Sequence, residues 1–168
     1  LVKASCSGQL DVELVFVDNK QAGGQINGHK VISDQEFINS KNEKYFNVAI
    51  ADAKIRKRIV DLYTDAGIES FNIVAQNSLN LGPNQIGEGA IFCPFTTVTV
   101  NAKIGKYFHA HIYSYITHDC VIGDYVTFAP NVHCNGNVVI EDFAFIGAGA
   151  IIRQGVPGKP LIIGEGAV

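Results

Sequence analysis

The sequence predicts two units in one chain: a small α/β unit with a Rossmann-like parallel sheet over residues 1–78, then a parallel β-helix of hexapeptide repeats over residues 79–168. Three observations carry this. Short apolar strand patterns alternate with helical patterns up to about residue 75, the order that gives a parallel sheet. From Ile86, every sixth residue is apolar through Phe92, Val98, Ile104, Ala110, Ile116, Ile122, Phe128, Cys134, Ile140, Ile146 and Ile152. An Ile-Gly pair also recurs every 18 residues, at Ile86-Gly87, Ile104-Gly105 and Ile122-Gly123, with Ile140-Glu141 in the next slot.

In the front unit, DVELVFVD (11–18) reads as an apolar strand ending on an acid. Ser33 and Glu36 in VISDQEFI have the spacing of a helix capping box. YFNVAI (45–50) is the second strand. AKIRKRIVDLYTDAG places Ile55, Ile59, Leu62, Tyr63 and Ala66 on one helical face, and Gly67 stops the helix. IESFNIV (68–74) is the third strand.

A period of six fits neither a helix nor a hairpin array, and it is a signature of a parallel β-helix. Four residues after each inward position stands a small or β-branched residue, Phe108 excepted. Three hexapeptides make one coil of a triangular prism, with Gly at one corner and coils stacked at about 4.8 Å. The handedness does not follow from the period. RQGVPGKPL (153–161) interrupts the pattern as a Gly/Pro loop, and Ile163-Gly164 resumes it.

Composition narrows the function. A net charge of −3 argues against a nucleic-acid-binding surface. No apolar run is long enough for a membrane span, and no signal-peptide pattern opens the chain. Cys6, Cys93, Cys120 and Cys134 have no paired spacing, so free thiols in a reducing cytoplasm are expected. A chain that starts at Leu1, lacks Met and stops at GEGAV reads as lacking its first element and its last coils.

His118 follows inward Ile116 by two places, so it lies near a corner and points outward. One coil later the stacked position is Gly136, which leaves a gap and an open N–H. A base, room for a thioester and an oxyanion donor together suit acyl transfer. Asp119 could hold the imidazole in its working tautomer. The competing reading is solvated surface, and it is the reading for His109, His111 and His133. Cys120, at a small inward position, reads as core.

THDCVIGDYVTFAPNVHCNGNVVIEDFAFIGAGAIIRQG resembles the sialic acid O-acetyltransferase type of hexapeptide acyltransferases, which includes N-acetyltransferases of nucleotide-linked 4-amino-4,6-dideoxy sugars. The likeness is strongest over 105–155 and looser over 11–75. It implies a left-handed β-helix, a homotrimer with sites between prisms, acetyl-CoA as co-substrate and a nucleotide-linked amino sugar as acceptor. It places the base on His118, its acidic partner on Asp119 and the thioester-facing glycine on Gly136. The pantetheine arm would pass Gly147 and Ala148. Asp18 and Asn19 fall where the nucleotide is contacted, and Ala51 and Asp52 line the same pocket. Near the acceptor, His111 stands where some members use asparagine, and Thr127 where some carry a second histidine. A Gly-rich loop before the first helix is absent. No metal is expected: the spacing of His109, His111, His118 and His133 does not resemble the gamma-class carbonic anhydrases. O-acetylation of a free sugar such as sialic acid, or a non-catalytic trimeric scaffold, are the alternative functions.

Overall fold

A computed structural model describes residues 12–168. Cys6 and the start of the first expected strand lie outside the described residues. The front unit holds β1 (Phe16–Val17), β2 (Gln25–Ile26), β3 (His29–Ile32), α1 (Asp34–Asn39), β4 (Tyr45–Phe46), α2 (Ala53–Asp65) and β5 (Glu69–Ser70). Its strands form two small sheets. β1 pairs with β3 in parallel, β2 joins β3 as an antiparallel hairpin, and β4 pairs with β5 in parallel.

The capping box at α1 is present: Ser33 Oγ accepts from Glu36 N, while the Glu36 carboxylate accepts from Ser33 N at 2.8 Å. Asp52 caps α2 by accepting from Lys54 N and Ile55 N at 2.9 Å. Gly67, at φ +74°, ends that helix in a conformation that suits glycine. The buried face of α2 differs from the expected one. Arg56, Val60 and Tyr63 are buried, whereas Ile55 and Leu62 are exposed. The reason is polar: the Arg56 guanidinium finds four oxygen acceptors in the seam beneath the helix, so the helix turns that edge inward.

The rest is a three-sided parallel coil. One face stacks β6 (Ile73–Val74), β9 (Ile91–Phe92), β12 (His109–Ala110), β15 (Thr127–Phe128) and β18 (Phe145–Ile146). The second stacks β7 (Leu79–Asn80), β10 (Thr97–Val98), β13 (Tyr115–Ile116), β16 (His133–Cys134) and β19 (Ile151–Ile152). The third stacks β8 (Gln85–Ile86), β11 (Lys103–Ile104), β14 (Val121–Ile122), β17 (Val138–Ile140) and β20 (Leu161–Ile163). The coil therefore starts at Ile73. The segment 68–74, expected as one strand of the front sheet, is divided between β5 and the first prism face.

Every inward residue of the period from Phe92 to Ile152 is buried in the core, and Ile86 is half-buried against it. Phe128 and Cys134 are wholly buried, with Ile116, Ile122 and Ile140 nearly so; Phe108, four places after Ile104, is wholly buried as well. Each large apolar side chain so buried contributes about 1.5–3 kcal/mol relative to exposure. The loop at 153–160 displaces the last register: Ile122 pairs with Ile140, but Ile140 pairs with Ile163 across the insertion.

Glycine stands at one corner, just after β8, β11 and β14, where the 18-residue spacing predicts it. The Ile-Gly glycines are not there for an unusual φ. A Cβ on Gly105 would sit 2.6 Å from the Gly123 carbonyl carbon, so those glycines permit close stacking of coils. Left-handed φ falls instead two residues later, at Tyr107, Tyr125 and Phe143 on that corner and at the equivalent Phe95, Asn101, Tyr113, Asp119, Asn131 and Asn137 on the others. At one corner these residues stack as a ladder, Tyr107 on Tyr125 at 5.3 Å and Tyr125 on Phe143 at 5.4 Å. The front unit packs its core on that ladder through Phe46, Val60 and Tyr63.

Candidate active site

His118 and Asp119 sit at the corner between the second and third faces, just after β13. The left-handed φ of 59° at Asp119 folds its side chain back toward its neighbour. His118 Nδ1 and Asp119 Oδ2 are 2.8 Å apart. Asn101, stacked one coil earlier, donates from Nδ2 to Asp119 Oδ1 at 3.2 Å. The His118 bond first, and the Asn101 bond second, hold the Asp119 carboxyl below its ordinary range. Both side chains remain partly exposed, at 42% and 48%.

The expected gap above the imidazole is its seat. A Cβ on Gly136 would lie 2.5 Å from His118 Cε1, 2.6 Å from Nε2 and 2.9 Å from Nδ1. The ring rests on the glycine, which is buried. Among the described residues, the Gly136 N–H donates to no protein acceptor. Cys120, beside the pair, is wholly buried and points its thiol at the Asn135 carbonyl at 3.2 Å.

Gly147 and Ala148 are exposed at a different corner, between the first and second faces. His111 lies toward that same corner, after β12, and is half-buried. Thr127 is buried, and its Oγ1 accepts from Arg56 Nη2 at 3.1 Å. That hydroxyl serves the helix-to-prism seam and faces no solvent. In the front unit, Asp18 closes a turn by accepting from Lys20 N at 2.8 Å and Gln21 Nε2 at 3.1 Å. Asn19 is tied to Asp34, and exposed Ala51 and Asp52 form the entry to α2.

A cleft of about 240 Å³ runs between the front unit and the first prism face, lined by Ala49, Ile73, Ile91, Cys93, His109, Ala110 and His111. His109 was expected on the surface. It is only 4% exposed, because α2 lies over it and brings Arg56 to 3.4 Å from its Nδ1. Burial first, then the Arg56 charge, lowers its pKa to about 3. No cluster of three His, Cys, Asp or Glu able to hold a metal exists among the described residues. No helix among them is long and apolar enough to cross a membrane.

Residues 101–136 match the family described as bacterial transferase hexapeptide (six repeats). The chain is 52% identical over 166 residues to a GDP-perosamine N-acetyltransferase of Escherichia coli O157:H7, covering 98% of this chain and 74% of that protein. WeeI from Acinetobacter baumannii AYE superposes with a TM-score of 0.95 at 47% identity, over 99% of this chain and 79% of that one. The acetyltransferase domain of PglB from Neisseria gonorrhoeae FA1090, in complex with acetyl coenzyme A, gives a TM-score of 0.77 at 25% identity, over 84% and 70% of the two chains.

Proposed function

From the premise that the chain belongs to the bacterial hexapeptide-repeat transferases, acyltransferases built on a left-handed β-helix, we propose that it is an acetyl-CoA-dependent N-acetyltransferase acting on the amine of a nucleotide-linked 4-amino-4,6-dideoxy sugar. The 52% identity to a GDP-perosamine N-acetyltransferase favours a GDP-linked sugar. The observation that carries the chemistry is the 2.8 Å His118–Asp119 pair seated on Gly136.

Asp119 accepts from Nδ1–H, which leaves the Nε2 lone pair of a neutral imidazole free as a base. The neutral sugar amine attacks the thioester carbonyl and forms the C–N bond. His118 Nε2 takes the amine proton, and the Gly136 N–H donates to the oxyanion. Collapse breaks the C–S bond, and the proton passes from His118 to the departing CoA thiolate. No covalent acyl-enzyme is needed, and buried Cys120 takes no part.

His118 and the Gly147–Ala148 pair stand at different corners of one prism, separated by the second face. A site that uses both requires two prisms side by side. Leu79 and Ile151, 52% and 72% exposed on that face, suit burial in such a contact. These features support a homotrimer with sites between subunits. The front unit would take the nucleotide as a small Rossmann-like domain, near Asp18, Asn19, Ala51 and Asp52. His111 would face the acceptor. The free thiols of Cys93, Cys120 and Cys134 agree with a cytoplasmic enzyme.

The test is release of CoA thiol from acetyl-CoA by the full-length protein, with UDP-, dTDP- and GDP-linked 4-amino sugars and free sialic acid as acceptors. Turnover with a nucleotide-linked amino sugar is expected. Turnover with free sialic acid alone would replace this reading by O-acetylation, and none with any acceptor would leave a scaffold.

A further inference from the structure

The buried His109 is not accounted for by the chemistry at His118. Its Nδ1 lies 3.4 Å from Arg56 Nη1. A guanidinium has no lone pair to offer, so Nδ1 must accept, and a neutral ring then carries its proton on Nε2. Arg56 is itself fully buried and held from several sides, by Ile50 O at 2.7 Å, Tyr125 O at 2.5 Å and Thr127 Oγ1 at 3.1 Å. The donor that sets the tautomer therefore cannot swing away. His109 Nε2 is buried and makes no well-formed hydrogen bond among the described residues; the Val48 carbonyl lies near the ring and offers only a weak one. A buried donor left unmade is costly, and it is the exception in folded proteins.

The ring lines the cleft between Ala49 and the first prism face. At about 240 Å³, that cleft is smaller than the range of about 300–1,000 Å³ typical of sites for drug-sized ligands. It suits one sugar ring and not a whole nucleotide sugar. Its walls at Ala49, Ile73, Ile91 and Ala110 are apolar, which suits the C–H face and methyl group of a deoxy sugar.

We propose that His109 is a positioning residue, locked by Arg56 so that its Nε2–H donates to an oxygen of the substrate's glycosyl group in this cleft. The proposal rests on the nucleotide-sugar reading above. The ring stays neutral at physiological pH because burial and the Arg56 charge both oppose its protonation. His111 adds to that opposition, and the weak hydrogen bond from the ring to the Val48 carbonyl favours the charged form least of these causes.

The experiment compares His109→Leu and His109→Gln in the full-length enzyme. Leucine fills the space without a donor, and the glutamine amide can both accept from Arg56 and donate onward. His109→Leu should raise KM for the nucleotide sugar about tenfold, the scale of one lost hydrogen bond. KM for acetyl-CoA and the melting temperature should stay near wild type, and His109→Gln should recover most of the loss. An unchanged sugar KM in His109→Leu, or a parallel rise in both KM values with a lowered melting temperature, would overturn the proposal. Imidazole ¹⁵N spectra give a second readout: a neutral ring protonated on Nε2 is expected between pH 7 and pH 5, and an Nδ1–H ring would contradict it. Wild-type enzyme inactive on every nucleotide amino sugar would mark failure of the functional reading itself, and this inference with it.

Discussion

Gly136→Ala should disable the enzyme while leaving the fold intact. The new methyl would stand 2.5 Å from His118 Cε1 and 2.6 Å from Nε2, where ordinary contact begins at 3.4 Å. The imidazole must therefore move by about 0.9 Å or rotate off its seat. At 42% exposure it can swing into solvent, so the backbone need not give way. Gly136 has no left-handed φ, so alanine adds no backbone strain. A displacement of about 1 Å in a reacting group can cost about 10²-fold in rate. The expected result in a CoA-thiol release assay is a fall in kcat of about 10²-fold, with the melting temperature within about 2 °C of wild type. A Gly136→Ala enzyme with kcat within about threefold of wild type would refute the seating argument.

Asp119→Asn keeps a residue that tolerates the left-handed φ of 59° but removes the charge that orients His118, so kcat should fall by about 10- to 10³-fold with no loss of melting temperature. Arg56→Met strips the acceptors Ile50 O, Tyr125 O and Thr127 Oγ1 of their donor and should cost about 3–5 kcal/mol, seen as a melting temperature lower by about 10 °C. His109 adds a pH dependence whose sign follows from its lowered pKa of about 3. Its contribution to stability is complete above the unfolded value of about 6.5 and falls as pH drops toward 3, because only the unfolded chain takes up the proton. By pH 5 the loss should be about 2 kcal/mol in urea unfolding, and His109→Leu should abolish that part.

The prism was legible because one backbone geometry repeats and forces an apolar residue inward at every sixth position. It was legible only from Ile86 because the first coil caps the end of the stack. There the inward register holds exposed Asn80, which pairs with Val98 but has no coil on its other side among the described residues. The His118–Asp119 pair was readable because its members are adjacent and Gly136 follows by one coil. The Arg56–His109 contact was not, since it joins residues 53 positions apart through the docking of α2. The helix face was misplaced for the same reason: an arginine reads as solvent-facing until its carbonyl acceptors are seen. The corner aromatics gave no sign of their left-handed φ, which is more usual for Gly, Asn and Asp.

The central claim is that His118 is the general base of an acetyl transfer to a nucleotide-linked amine. It is tested most directly by CoA-thiol release from acetyl-CoA with a GDP-linked 4-amino-4,6-dideoxy sugar, using His118→Ala beside wild type. Wild-type turnover with kcat lower by about 10²- to 10⁴-fold in the variant is the expected result. A His118→Ala enzyme that turns over at nearly the wild-type rate would contradict the account.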